Sequence, residues 1–393
     1  MSVRIADLLP GKPGDPVSFY CGHQPVSWDA IDLVAGYIIL ETAFSQSRGF
    51  TDVYRWWAST LSSDIPKGEN WLHMLYLVSN FSTTDPRDVI YGLRGMIQSG
   101  DGGWLLDPHY GKTAVDVCQD SVEAAFLNFK NTNALLYVHG VEAPSWVPLW
   151  DRLMLFWNPF TFRQALPWRP AGESELRWEI DRRQNILSLR GFKIAVIESG
   201  ATYVETFFGN AMMESDEGKA TLRASWSNIL GDMARGVQSP PFDNRTLISA
   251  AVSFSFGFDE KCNPADEQLI FHNFAAYLKC ILDEEMYNKD IKPETTEECS
   301  DRIASSLGKP VWDFEYPEAS FFAATGETKE KRIGCCIAPT QLGDVVFIHP
   351  LWQCPCSGVA ARRGAVSHRG FCFAHGAMEG EMHDEAEVVV DIV

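Results

Sequence analysis

The residues whose types and spacing could do chemistry in this chain are few. Asp85-Pro86-Arg87-Asp88 sets one guanidinium between two carboxylates. Such a group can hold a charged ligand. At the start of a helix it reads first as an ion pair locking a loop to a core, because structural ion pairs fix charges as readily as binding sites do. Cys354, Cys356, His368, Cys372 and His375 are zinc-ligating types. Their spacing is not that of a common zinc module. A single residue separates Cys354 from Cys356, and Cys372 and His375 fall in a strand-like run whose alternation sends them to opposite faces. No metal and no cofactor are expected. Cys21 and His23 pair a thiol with a base only by closeness in sequence, whereas a nucleophile needs its base within hydrogen-bond reach. No Gly-x-Ser-x-Gly elbow occurs. Gly100, Gly102 and Gly103 form a loop without the lysine that a phosphate cradle requires. Trp28, Trp56, Trp57, Trp71, Trp104, Trp146 and Trp150 could stack on sugar or peptide, but tryptophan is mostly buried, and core packing is the expected use. Cys335-Cys336 reads as a buried pair of small apolar residues.

The elements that must position these groups are partly legible. Asp85 reads as an N-cap with Pro86 at the first helical position, Asp88 closing a capping box, and Ile90 and Leu93 facing inward. Trp71 to Asn80 precedes it as a helix. Thr113 and Asp116 form a second capping box, and Val115, Cys118, Val122, Ala125, Phe126 and Phe129 make the apolar stripe of a helix over 114–129. Pro144-Ser145-Trp146-Val147-Pro148-Leu149-Trp150 cannot be helix interior with two prolines in it and reads as a rigid extended brace. Further helices are expected from Ser27, over 272–284 with Phe274, Leu278 and Ile281 on one face, and from Thr295. Ser255 to Asp259 reads as surface. Ile186 to Ile197 reads as a strand pair or a bent strand. Short β-like runs follow at 321–324, 333–337, 344–349 and 369–375, and Val388 to Val390 could add an edge strand.

Composition narrows the class. A chain of 393 residues with 46% apolar residues can fill two or three cores. The net charge of −19 opposes nucleic-acid binding and anionic membranes and favours protein partners. No run of about 18 apolar residues marks a membrane span. The first ten residues lack the apolar centre of a signal peptide, so the ten cysteines are expected as reduced thiols in a cytoplasmic protein.

Several blocks resemble, in order, those of fungal heterokaryon-incompatibility (HET) proteins. Asp85 to Leu93 resembles the family's "DPRD-x-IY-x-L". Cys21 to Trp28 is similar to "CG…ISW". Asp107 to Val117 is similar to "DY-x-K-S-V-x-x-V", with His109 inserted before the tyrosine. Pro144 to Trp150 is similar to "PSWVPDW", with Leu149 in place of the acid. Gly343 to Val346 and Cys372 to Gly380 are similar to the closing "GD-x-V" and "CYVHG-x-MDGE". The family's "YxALSYxWG", "WIDxxCIxQ" and "R-x-WxxQE" segments are absent, as though the chain starts after them. The resemblance implies that NAD-cleaving or assembly chemistry, expected in that TIR-like module, lies outside these residues.

These readings predict an α+β protein: a mainly helical body with short strands and a small β-rich C-terminal unit. Residues 1–150 are expected as a helical remainder flanking the HET module, 151–319 as a mixed helical middle, and 320–393 as the small β-rich unit with an acidic tail. The expected function is that of a HET-like interaction scaffold in nonself recognition and regulated cell death. The alternative is an enzyme, NAD glycohydrolase-like or accessory to a biosynthetic pathway. The residues singled out for binding or structure are Asp85, Pro86, Arg87, Asp88, Tyr91, Trp146, Pro148 and Trp150.

Overall fold

In the computed structural model the described residues are 19–21, 23–27, 71–79, 83–95, 97, 100–138, 144–152, 168–172, 174–203, 215–233, 244–258, 264, 266–281, 319–326, 331–336, 339–349, 357–362, 365–378, 380–381 and 387–393. The helices expected from Ser27 and Thr295, and Trp28, Trp56, Trp57, Cys354 and Cys356, lie outside them. The chain divides into two units, Met1–Asn128 with Leu149–Leu155, and Phe129–Pro148 with Phe156–Val393.

The first unit holds the hairpin β1 (Phe19–Cys21) and β2 (Gln24–Val26), then helices α1 (Trp71–Val78), α2 (Asp88–Tyr91) and α3 (Ala114–Phe129). Apolar side chains at helical spacing fill its interior: Trp71, Leu75, Val89, Ile90, Val122 and Phe126 are buried. The capping box at α3 forms as its sequence dictates. The Thr113 amide and hydroxyl both donate to Asp116 Oδ2, and the Asp116 amide donates back to Thr113 Oγ1. α2 is only one turn long, and its cap differs from expectation. Asp85 Oδ1 accepts the Arg87 amide, and Asp88 faces Tyr110 instead of closing a box. Trp104, expected in the core, is 69% exposed on the short 3-10 turn Gly103–Leu106.

The second unit overturns the expectation of a mainly helical body with a small β appendix. Eight strands form one curled, mixed sheet, a half-barrel. They are β3 (Trp178–Asp181), β4 (Ile186–Tyr203), β5 (Ala319–Thr325), β6 (Lys331–Cys336), β7 (Asp344–Ile348), β8 (Ser357–Arg362), β9 (Ala365–Ala374) and β10 (Glu387–Ile392). The C-terminal strands do not stand alone, because β4 binds them together. Its first part pairs with β3 and β10, its middle with β7 and its end with β5. β5, β6, β9, β8 and β7 then follow by antiparallel pairing, so the sheet curls back onto β4. Among the described residues the one parallel pairing is β10 to β9, at Ile392 and Val366.

β4 can serve so many neighbours because it is 18 residues long and twice irregular, with register shifts between Lys193 and Ala195 and between Ile197 and Ser199. Bulges bend a strand and raise its twist. Gly191 lets β7 approach: a Cβ there would lie 2.1 Å from the Ile348 carbonyl oxygen. The sheet encloses a core that includes Phe192, Ile194, Ile197, Phe322, Val346 and Ile348.

Helices α4 (Asp216–Met233), α5 (Asn244–Ser255) and α6 (Glu267–Ile281) belong to the same unit. They meet around Trp226, whose ring lies 5.2 Å from Phe254, 5.2 Å from Phe274 and 5.8 Å from Phe321. Its Nε1 donates to the Tyr277 hydroxyl at 3.0 Å. Ser255 to Asp259, expected at the surface, is core in its described part, since Phe256 and Phe258 are buried. Among the described residues no helix is long and apolar enough to cross a membrane.

Candidate functional site

The residues singled out in the first unit do come together, around Arg87. Its Nε and Nη2 grip Asp85 at 2.9 and 2.6 Å. Its Nη1 donates to the carbonyls of Tyr110 and Lys112 at 2.7 and 2.8 Å. One planar fork thus ties the start of α2 to the loop before α3. Tyr110 closes the arrangement. Its hydroxyl donates to Asp88 Oδ1 at 2.7 Å, its ring stands edge-on to Tyr91 at 5.3 Å, and the Arg87 guanidinium carbon lies 5.2 Å from its centroid. The Tyr91 hydroxyl donates to the His109 carbonyl at 3.2 Å, so the residue inserted before Tyr110 is itself a contact. Hydrogen bonds from Arg87 hold the Asp85 carboxyl below the ordinary range, and Asp85 in turn raises Arg87. The hydrogen bond to Asp88 raises the Tyr110 phenol. Pro86 is exposed, and its carbonyl accepts the Val89 amide at 3.4 Å.

Nearby, Lys112 Nζ reaches Asp120 Oδ2 at 2.6 Å, and the Asp120 side chain is almost wholly buried. Trp150, buried in the same unit, donates from Nε1 to Ser121 Oγ at 2.8 Å.

Trp146 and Pro148 belong to the second unit. The block reads as an extended segment, but it turns at Ser145-Trp146, where the Val147 amide donates to the Pro144 carbonyl at 3.2 Å. Trp146 Nε1 donates to the Asn185 carbonyl at 2.9 Å, in the turn joining β3 to β4, where Asn185 takes a left-handed φ of 57°. Ser145 N donates to the Val393 carbonyl at 2.9 Å, Ser145 Oγ donates to the same oxygen, and Ser145 Oγ accepts the His368 amide at 2.8 Å. Pro148 is buried beside them in sequence.

Of the zinc-type residues, Cys354 and Cys356 lie outside the described residues. The Cys372 side chain is buried in the sheet, and His375 sits past the end of β9. Among the described residues no three His, Cys, Asp or Glu side chains are placed to hold a metal.

Sequence reasoning missed a different constellation in the second unit. Ser249 Oγ lies 2.9 Å from His375 Nδ1, and His375 Nε2 lies 2.9 Å from Glu267 Oε1. The partners are 126 and 108 residues apart in the chain, so no local motif could announce them. Their placement has a structural cause. Asp266 caps α6, accepting the Gln268 and Leu269 amides, which puts Glu267 at the first helical position. One carbonyl, that of Ile333 on β6, accepts both the Ser253 hydroxyl from α5 and the His375 amide. Ser249 is one turn before Ser253 on the same helix face, so it comes to lie against His375.

Buried elsewhere in this unit are two more histidines, His349 and His368, both fully enclosed. Burial pulls His349 down to about 3 and His368 to about 4, His368 adding a repulsive contribution to His349. Both rings are neutral near pH 7. Neither ring nitrogen of His368 has a hydrogen-bond partner among the described residues.

Comparison with protein-family models, with curated proteins and with solved structures finds no match to this chain.

Proposed function

We propose that this chain is a HET-like protein of fungal nonself recognition, acting in the cytoplasm as an interaction scaffold for protein partners in regulated cell death. The observation that supports this reading is how Arg87 is used. Four of its N–H groups are committed to Asp85, Tyr110 and Lys112 within its own unit. A guanidinium held this way is a clamp, not a receptor for a small anion. The block that carries the resemblance is therefore architecture, which suits a scaffold whose signalling chemistry lies elsewhere. The net charge of −19 fits a surface that meets proteins.

The test is regulated expression of the whole chain in a filamentous fungus, alone and beside an incompatibility-domain protein, scored by vital-dye uptake. The expected result is a change in cell death that Arg87→Ala removes. Limited proteolysis of R87A should then show cleavage at 109–112 that the wild type resists. Unchanged viability in both settings, or release of nicotinamide from NAD by the purified chain, would overturn the scaffold reading.

A further inference from the structure

We infer that Ser249, His375 and Glu267 form a serine-nucleophile relay, and that the second unit carries an acyl-transfer or ester-hydrolysing activity. A catalytic triad is recognised by geometry and roles, not by sequence position or fold. Both required hydrogen bonds are present at 2.9 Å. The roles follow from donor and acceptor chemistry. The Glu267 carboxylate only accepts, so in the neutral ring Nε2 carries the proton. Nδ1 is then left as the acceptor for the Ser249 hydroxyl, and the ring is oriented as a general base.

The site is open enough for chemistry and fixed enough for orientation. Ser249 is half-buried, and the His375 and Glu267 side chains are 23% and 57% exposed. The Ile333 carbonyl pins α5 through Ser253 and the turn through the His375 amide, so base and nucleophile are positioned by backbone and not by two loose side chains. The amide of Ser249 is within a helix and cannot form an oxyanion hole in the usual way. Arg332 Nη1 donates to the carbonyl of Gly376, the residue after His375, and so fixes the turn that carries the base.

The substrate class this accommodates is a carboxylic ester presented at the surface. Ser249 Oγ attacks the carbonyl carbon while its proton passes to His375 Nδ1. The C–O bond to the alcohol breaks, and His375 returns the proton to the departing alkoxide. Water then attacks the acyl-serine with His375 again taking and returning one proton, releasing the carboxylic acid and free Ser249.

The test uses the whole purified chain and a biotinylated fluorophosphonate. Here Ser249 Oγ forms the P–O bond, fluoride leaves, and the hydroxyl proton goes through His375 to solvent. Peptide mapping should place the label on Ser249 in the native protein, with none there after unfolding in urea. His375→Gln should slow labelling at least 100-fold, and Glu267→Gln at least tenfold, with near-UV circular dichroism showing that each variant keeps its fold. Native wild-type protein that stays unlabelled at Ser249 would overturn the inference even where a variant fails to fold. So would equal labelling of native and urea-unfolded protein, or an undiminished rate in folded H375Q. This result is independent of the scaffold reading, which concerns Arg87 in the other unit and is read by cell death.

Discussion

Acid should destabilise the second unit through His349 and His368, and replacing both with leucine should remove that sensitivity. Both rings are fully buried. The ordinary histidine value is 6.5, and the fold holds His349 at about 3 and His368 at about 4. The sign follows from proton counting. The folded rings stay neutral below pH 6.5, where the unfolded chain takes up protons, so the unfolded state binds more protons and stability falls as pH falls. The loss begins near 6.5 and continues until each folded ring finally protonates. Each pH unit is worth about 1.4 kcal/mol per group, so between pH 7 and pH 5 each ring costs about 2 kcal/mol and the pair about 4 kcal/mol. That is a large part of the ~5–15 kcal/mol by which domains are stable.

The assay is chemical denaturation at pH 7, 6 and 5, with wild type and the His349→Leu/His368→Leu double variant compared as a difference. Carboxylates common to both cancel. The difference should grow by about 4 kcal/mol across this range. Nuclear magnetic resonance should show two imidazoles that do not titrate between pH 5 and 8 in the folded protein. His368→Leu alone should be neutral or stabilising at pH 7, because it removes polar nitrogens that have no partner among the described residues. Parallel stability curves for wild type and double variant would refute the reasoning, since they would mean that the rings are hydrated or charged in the fold.

Two further outcomes test the interior. A Cβ at Gly334 would lie 2.2 Å from Phe322 Cζ and 2.6 Å from the Phe373 carbonyl oxygen, so Gly334→Ala should destabilise by about 1–3 kcal/mol, read as a lower denaturation midpoint. Burial pushes the Cys118 thiol up to about 12, so at pH 8 it should resist iodoacetamide in native protein and react once the first unit unfolds, as mass mapping would show.

How much of this fold was legible follows the range of the forces that make it. The α3 helix was legible because its signals are local: Thr113 and Asp116 satisfy each other, and the Val122 and Phe126 stripe is buried as its spacing requires. β4, β5, β6, β7, β9 and β10 were legible as strands, but β3 and β8 were not, and neither was the assembly. β4 pairs with β5 across more than 100 residues, and its bulges break the alternation that would show which face is inward. Ser255 to Asp259 reads as surface because glycine and low sequence complexity there resemble an exposed turn. The backbone does turn there, with Phe256 at a φ of 53° and Gly257 at 72°. The phenyl rings decide the outcome: Phe256 lies 5.7 Å from Phe373, and Phe258 lies 4.6 Å from Trp168. Burial of two large rings outweighs the cost of one residue in the left-handed region, about 1–2 kcal/mol.

The same contest explains the site residues. Local chemistry alone would have Asp88 close onto the start of its own helix. In the fold a tyrosine 22 residues away takes that carboxylate, and Arg87, still gripping Asp85, also reaches carbonyls 23 and 25 residues on. A sequence shows which groups are able to pair; it does not show which distant donors the topology will bring closer than the near ones. Ser249, His375 and Glu267 are the extreme case, since each is unremarkable among its neighbours. A helix serine can bond back to its own backbone, a helix-start glutamate suits the macrodipole, and a histidine after a strand can cap a turn. These local explanations are sufficient one at a time, and none of them requires the other two residues to be near. The sheet supplies that requirement through the Ile333 carbonyl, which is why a relay of this kind becomes visible only once β6, α5 and the end of β9 are assembled.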